Sequence, residues 1–204
     1  RGWLLLDAFG VPFEHRHAVL WTPGFEAMRA EMAPSRSVPA LRVREDGADY
    51  LVWDSLAIAE TVHELHPEAG LWPDDAAARA TARALAAEMH SGFTALRQAC
   101  PMNMRRAYAG FEAPAEVRDD LDRLAAIWAH ARAVGGAEGP FLFGEFTAAD
   151  AFFAPVASRI ATYGLDLGET DLGYVAALLA HPSVRRWWEM VRADTTVQDR
   201  YEMD

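Results

Sequence analysis

Two pairs of neighbouring residues carry types that point to chemistry: Val38-Pro39, where a cis bond is accessible, and Asp54-Ser55, where a helix start can hold a carboxylate. An X-Pro bond adopts cis at a cost of only about 0.5–1 kcal/mol, and a proline at the start of a strand leaves the ladder intact. Asp and Ser are favoured where a helix begins. That end of a helix carries partial positive charge and unpaired N–H groups, which can hold a carboxylate. Other candidates are weaker. Cys100 is the one cysteine. It would be a nucleophile only beside a base in a positive environment. No such partner stands at a fixed spacing, so an inert thiol is the favoured reading. His15 and His17 alternate along the chain, and His63 and His66 are three apart on an expected helix. Neither pair has a carboxylate or cysteine completing a metal site at a known spacing, so no metal is expected.

The elements that must position the two pairs are local. Leu41 and Val43 alternate with Arg42 and Arg44, as in a half-buried strand. Asp46-Gly47 is a hairpin signal, and Tyr50 to Trp53 is a second apolar run. Leu56, Ile58, Ala59, Val62 and Leu65 then come at helical spacing behind Asp54-Ser55. On pattern alone this is an ordinary hairpin and a capped helix.

Upstream, Trp3 to Phe9 reads as an apolar helix ending near Gly10. A strand is expected around Glu14 to Val19, and a helix from Phe25 to Met32. Pro67 to Asp75 reads as a linker, with Asp74 or Asp75 capping the helix after it. From Ala76 onward only helices are expected. One runs from Ala76 to Ala99 and stops at Pro101. Another covers Ala115 to Val134, and a third, buried one comes after Thr147-Ala148-Ala149-Asp150. Thr147 and Asp150 have the spacing of a capping box, with Asp in place of Glu or Gln. A last helix starts at His181-Pro182.

Half of the 204 residues are apolar, which is enough for a sizeable core. The formal net charge is -11, and the basic residues are scattered. That balance argues against nucleic-acid and anionic-membrane partners. No signal peptide or long apolar span is evident, so the expected location is cytoplasmic.

V-P-A-L, a hairpin and then W-D-S-L-A-I-A-E-T-V resemble the glutathione-binding half of the glutathione S-transferase family. The resemblance implies a thioredoxin-like α/β domain over residues 1–72, with its first strand missing, and an all-α helical domain over 73–204. It implies a cis Pro39, with Val38 offering backbone bonds to the cysteinyl part of glutathione. It also implies that Asp54 and Ser55 hold the γ-glutamyl end. In the family the catalytic Ser, Tyr or Cys comes after the first strand, so it would lie upstream of Arg1, and the catalytic residue is unknown. Many members carry Gly-Lys where this chain has Arg36-Ser37.

The stretch F-G-E-F-T-A-A-D resembles the family's motif ahead of the central helix of its helical domain, where the aspartate is structural. Asp150 therefore receives no catalytic role. Met102, Met104, Arg105 and Tyr108 come after Pro101, where the family's equivalent helix lines the pocket for an electrophile. Read without the resemblance, they are equally well ordinary core and surface positions.

Three functions remain open: glutathione transfer to a small electrophile, glutathione-dependent cis-trans isomerisation of the maleylacetoacetate type, and non-catalytic binding. The family also implies a homodimer, for which Trp53 and Trp72 are the candidate interface aromatics.

Overall fold

The computed structural model describes residues 1–45, 47–136 and 138–196. The chain forms two compact units, Arg1–Leu71 and Trp72–Asp204.

The first unit begins with α1 (Gly2–Asp7), which buries Leu4, Leu5 and Leu6 and packs on a later helix, α3. It ends before Gly10, because Ala8 already closes its last turn on Leu4. Glu14 to Val19, expected as a strand, forms no ladder. Strand pairing is set by whatever lies alongside. The sheet of the described residues contains only β1 (Ala40–Glu45) and β2 (Ala48–Trp53). Between these parts lies α2 (Pro23–Glu31), whose first turn is capped by the Thr22 hydroxyl accepting from the Phe25 N–H.

β1 and β2 pair antiparallel, with Ala40 opposite Trp53 and Glu45 opposite Ala48. Val43 faces the core. Arg42 grips both carboxylate oxygens of Asp49 across the ladder at 2.6 and 2.7 Å, and this hydrogen bonding holds the Asp49 carboxyl below its ordinary pKa. The turn between the strands contains Gly47 at φ 84°, a backbone conformation that glycine adopts without penalty. Asp46, the other half of the expected turn signal, lies outside the described residues. α3 (Ser55–Leu65) begins at once and buries Ile58, Ala59 and Val62. A 3-10 turn at Pro67–Ala69 ends the unit.

The second unit is helical: α4 (Ala76–Ser91), α5 (Thr94–Ala99), α6 (Ala115–Gly135), α7 (Ala148–Tyr163), α8 (Glu169–Ala180) and α9 (Pro182–Ala193). Asp75 caps α4 through bonds from the N–H groups of Ala77 and Ala78. The single helix expected from Ala76 to Ala99 is two. Gly92 is extended, and Phe93 sits at φ 56°, which turns the chain between α4 and α5. α8 is not among the helices expected from the sequence. Glu169 and Asp171 in its first turn are the signal that could have found it.

α7 is apolar nearly all round and lies between α4 and α8. The capping box is present: Thr147 and Asp150 each bond the other's backbone. Asp150 is fully buried and accepts from the Thr147 N–H, the Thr147 hydroxyl, the Leu142 N–H and the Tyr174 hydroxyl. Trp128 of α6 is also fully buried, edge-on to Phe153 and Tyr174 with ring centroids 5.5 and 4.9 Å away. Among the described residues no helix is long and apolar enough to cross a membrane.

Candidate functional site

The hairpin register does what sequence spacing could only suggest. Because Ala40 pairs with Trp53, the residues just outside the ladder, Pro39 and Asp54, leave it at the same end. The two pairs are therefore neighbours across the hairpin, although 14 positions separate Pro39 from the start of the second.

The Val38–Pro39 bond is cis, as the resemblance implies. A second cis bond, Ala33–Pro34, has no counterpart among the sequence expectations. Val38 is 62 % exposed, so its side chain contributes little to the core and its place in the chain matters through its backbone. Sequence reading missed Ser35. It is buried, its hydroxyl donates to the Ser37 carbonyl at 2.9 Å, and it accepts from the Ser37 N–H. It thereby ties down the loop that delivers Val38. A polar Ser-x-Ser stretch before a proline was the available sign.

Asp54 has φ 77°, a region L-residues with a side chain rarely occupy and that costs of order 1–3 kcal/mol. The carboxylate of Asp54 accepts from the Leu56 N–H at 2.8 Å, capping α3. Ser55 is the first residue of that helix and is 3 % exposed. Its N–H belongs to the first turn, where helix N–H groups have no partner within the helix. The end of β2 thus presents a carboxylate, a hydroxyl and a helix start together. This set can bind a zwitterionic amino-acid end: carboxylate on the helix start, ammonium on Asp54.

A groove of about 870 Å3 runs through the first unit between α1, the segment from Val11 to Leu20, α2 and β1. Val38 and Pro39 line it, whereas Asp54 and Ser55 do not.

The four residues expected to line an electrophile pocket sit in the second unit, in the loop between α5 and α6 and not on a helix. Met104 is buried. Met102 places its sulfur 3.9 Å from the Arg159 guanidinium. Tyr108 stacks on Tyr163 with centroids 4.9 Å apart and accepts from Asn103. Arg105 donates to the carbonyls of Val191 and Thr196, so its guanidinium ties the loop to the end of α9. The loop is knitted together by these contacts.

Cys100 is wholly buried, and burial pushes its thiol up to about 11, which keeps it protonated at neutral pH. His15 and His17 have ring centroids 6.2 Å apart. His66 lies 3.9 Å from Glu45 and 3.6 Å from Glu68. Among the described residues no three His, Cys, Asp or Glu side chains gather as a metal site. Trp72, expected at an interface, is 3 % exposed with the Arg83 guanidinium over its ring. Its indole is used inside the second unit. Trp53 is 44 % exposed.

An α/β unit with a proline-led hairpin, joined to a helical unit whose central helix is boxed by Thr147 and Asp150, defines a thioredoxin-like domain with an all-helical one after it. Residues 1–65 match the family description "Glutathione S-transferase, N-terminal domain". A maleylacetoacetate isomerase structure from Anaeromyxobacter dehalogenans, with GSH bound in its active site, is 31% identical. It covers 90% of this chain and 86% of its own, at a TM-score of 0.62. A glutathione transferase from Methylococcus capsulatus is 22% identical over 95% of this chain and 93% of its own, with a TM-score of 0.66. A glutathione transferase homolog from Burkholderia, solved with bound glutathione, is 24% identical over 94% of this chain and 89% of its own, with a TM-score of 0.65. The chain belongs to the glutathione S-transferase family. No curated protein sequence matches it significantly.

Proposed function

We propose that this chain binds glutathione and promotes attack of the glutathione thiolate on a small electrophile. The observation that carries the reading is the hairpin register, which sets the cis Val38–Pro39 peptide beside Asp54-Ser55 at the start of α3. Val38 offers backbone bonds to the cysteinyl residue. The Ser55 N–H and hydroxyl take the γ-glutamyl carboxylate, and Asp54 pairs with its ammonium. In this reading residues 1–72 form the glutathione-binding domain, and residues 73–204 supply the electrophile pocket through Met102, Met104, Arg105 and Tyr108. A thiol of pKa near 8.5 is only a few per cent ionised at pH 7, and each unit by which the site lowers it is worth about 1.4 kcal/mol. No residue of this chain is assigned to that activation.

Calorimetric titration with glutathione tests the site. Ser55→Ala is expected to weaken binding by about 1–3 kcal/mol, the scale of a hydrogen bond to a charged group. Equal affinities for the two proteins would refute the assignment.

The likeness to a maleylacetoacetate isomerase at 31% identity favours a second reading, in which the same thiolate adds reversibly and no group is transferred. Parallel assays with a generic aromatic electrophile and with a cis-dienoic diketo acid separate the two. Turnover of the diketo acid alone, with glutathione recovered unchanged, would replace transfer by isomerisation.

We also propose a two-fold homodimer that uses the exposed Trp53. Light scattering at micromolar concentration should give a mass near two chains. A one-chain mass that glutathione does not change would defeat the dimer.

A further inference from the structure

Gly2 stands where no side chain fits. A Cβ built on it would lie 2.6 Å from Cβ and 2.7 Å from Cγ of Pro39, well inside carbon–carbon contact. The obstructing atoms belong to a proline ring fixed to the backbone, so they cannot swing aside as the end of a long side chain would. Either α1 or the Val38–Ala40 backbone must move. α1 is the stiffer of the two. Leu4 and Leu5, one helical turn along, are at most 1 % exposed, and the helix packs on α3. On the other side Val38 is 62 % exposed, and the Arg36-Ser37 stretch before it is exposed as well, held by the Ser35 hydroxyl at Ser37 and not by packing. The displacement therefore falls on Pro39 and the peptide that precedes it.

We propose that Gly2 is a positioning residue for ligand binding: by letting α1 touch the Pro39 ring, it sets the height at which the Val38 backbone meets the ligand. This rests on the proposed binding of glutathione. Relieving the contact requires a shift of several tenths of an ångström, enough to stretch a hydrogen bond of about 2.9 Å beyond its useful range. In the proposed reading Asp54 and Ser55, across the hairpin at the start of α3, hold the other end of the ligand.

The experiment measures glutathione affinity for wild type, Gly2→Ala, Ser55→Ala and the double variant, together with their unfolding midpoints. Gly24→Ala, in α2, is the matched control, because its new Cβ would meet only the Thr22 hydroxyl at an ordinary 3.8 Å. Gly2→Ala is expected to bind about tenfold more weakly, as when one hydrogen bond is lost, with a near-wild-type midpoint. The double variant should bind more weakly than either single variant, because the two residues act on different ends of the ligand. Gly24→Ala should bind as wild type does. Unchanged affinity in Gly2→Ala overturns the proposal while leaving the glutathione reading intact. A lowered midpoint with affinity lost in proportion, or a chain that no longer folds, makes Gly2 a structural glycine and also overturns it. A wild-type chain that gives no binding isotherm sinks both.

Discussion

Replacing Asp150 by alanine is expected to lower the stability of the helical unit by about 3–5 kcal/mol, far more than loss of a simple helix cap. The reason is the number of groups left behind. The Thr147 N–H, the Thr147 hydroxyl, the Leu142 N–H and the Tyr174 hydroxyl all donate to this one fully buried carboxylate. A cap read from sequence alone suggests only about 0.5–2 kcal/mol. Denaturant unfolding reads the difference, and a loss below about 1 kcal/mol would show that water or rearranged partners take over the orphaned donors.

The same residue has a pH signature. Burial raises its pKa above the ordinary 3.8, with the hydrogen bonds pulling the other way. The folded chain therefore keeps a proton over a window in which the unfolded chain has lost it. The stability this proton confers is complete below the ordinary value and is lost as pH rises through the raised one. Set against Asp150→Asn, which cannot titrate there, the wild type should gain relative stability as pH falls through that window. The opposite slope would mean that the four donors outweigh burial.

Trp128→Ala should be as damaging, at about 3–5 kcal/mol, because a large ring leaves a cavity that its neighbours fill only in part. The indole is wholly buried against Phe153 and Tyr174. Among the described residues its N–H has no acceptor, so the whole gain comes from packing. Trp128 also holds the ring of Tyr174, whose hydroxyl reaches Asp150. The two substitutions share a partner, and the double variant Trp128→Ala/Asp150→Ala should lose less than the two singles combined, by about 0.5–3 kcal/mol. Strict additivity would mean that the tyrosine ring keeps its place without the indole beside it.

The features legible in the sequence were those that local chemistry determines. Thr147 and Asp150 are three apart and cap their own helix, so the spacing carried the answer. The Leu41–Val43 alternation and the helical run after Ser55 were legible for the same reason. Glu14 to Val19 reads as a strand, yet a ladder needs a neighbour, which no property of those six residues supplies. The break at Phe93 was hidden because a phenylalanine at φ 56° is imposed by surroundings, and the run from Ala76 to Ala99 reads as one helix. Trp72 read as an interface aromatic, but its burial beneath Arg83 depends on a residue in the next helix. At the candidate site both residue pairs were visible one by one. Their adjacency came from the hairpin register, and the fit of Gly2 against Pro39 spans a separation that no motif records.

The sealed thiol of Cys100 bears on what an electrophile could modify on this chain. Every one of its 19 strongly basic residues is arginine, and lysine is absent. The two side chains most readily alkylated in proteins are the cysteine thiolate and the lysine amine. One is here a protonated group buried in the core, and the other does not occur. On the proposed function, the sulfur of bound glutathione would then be the softest nucleophile that an electrophile meets on this chain.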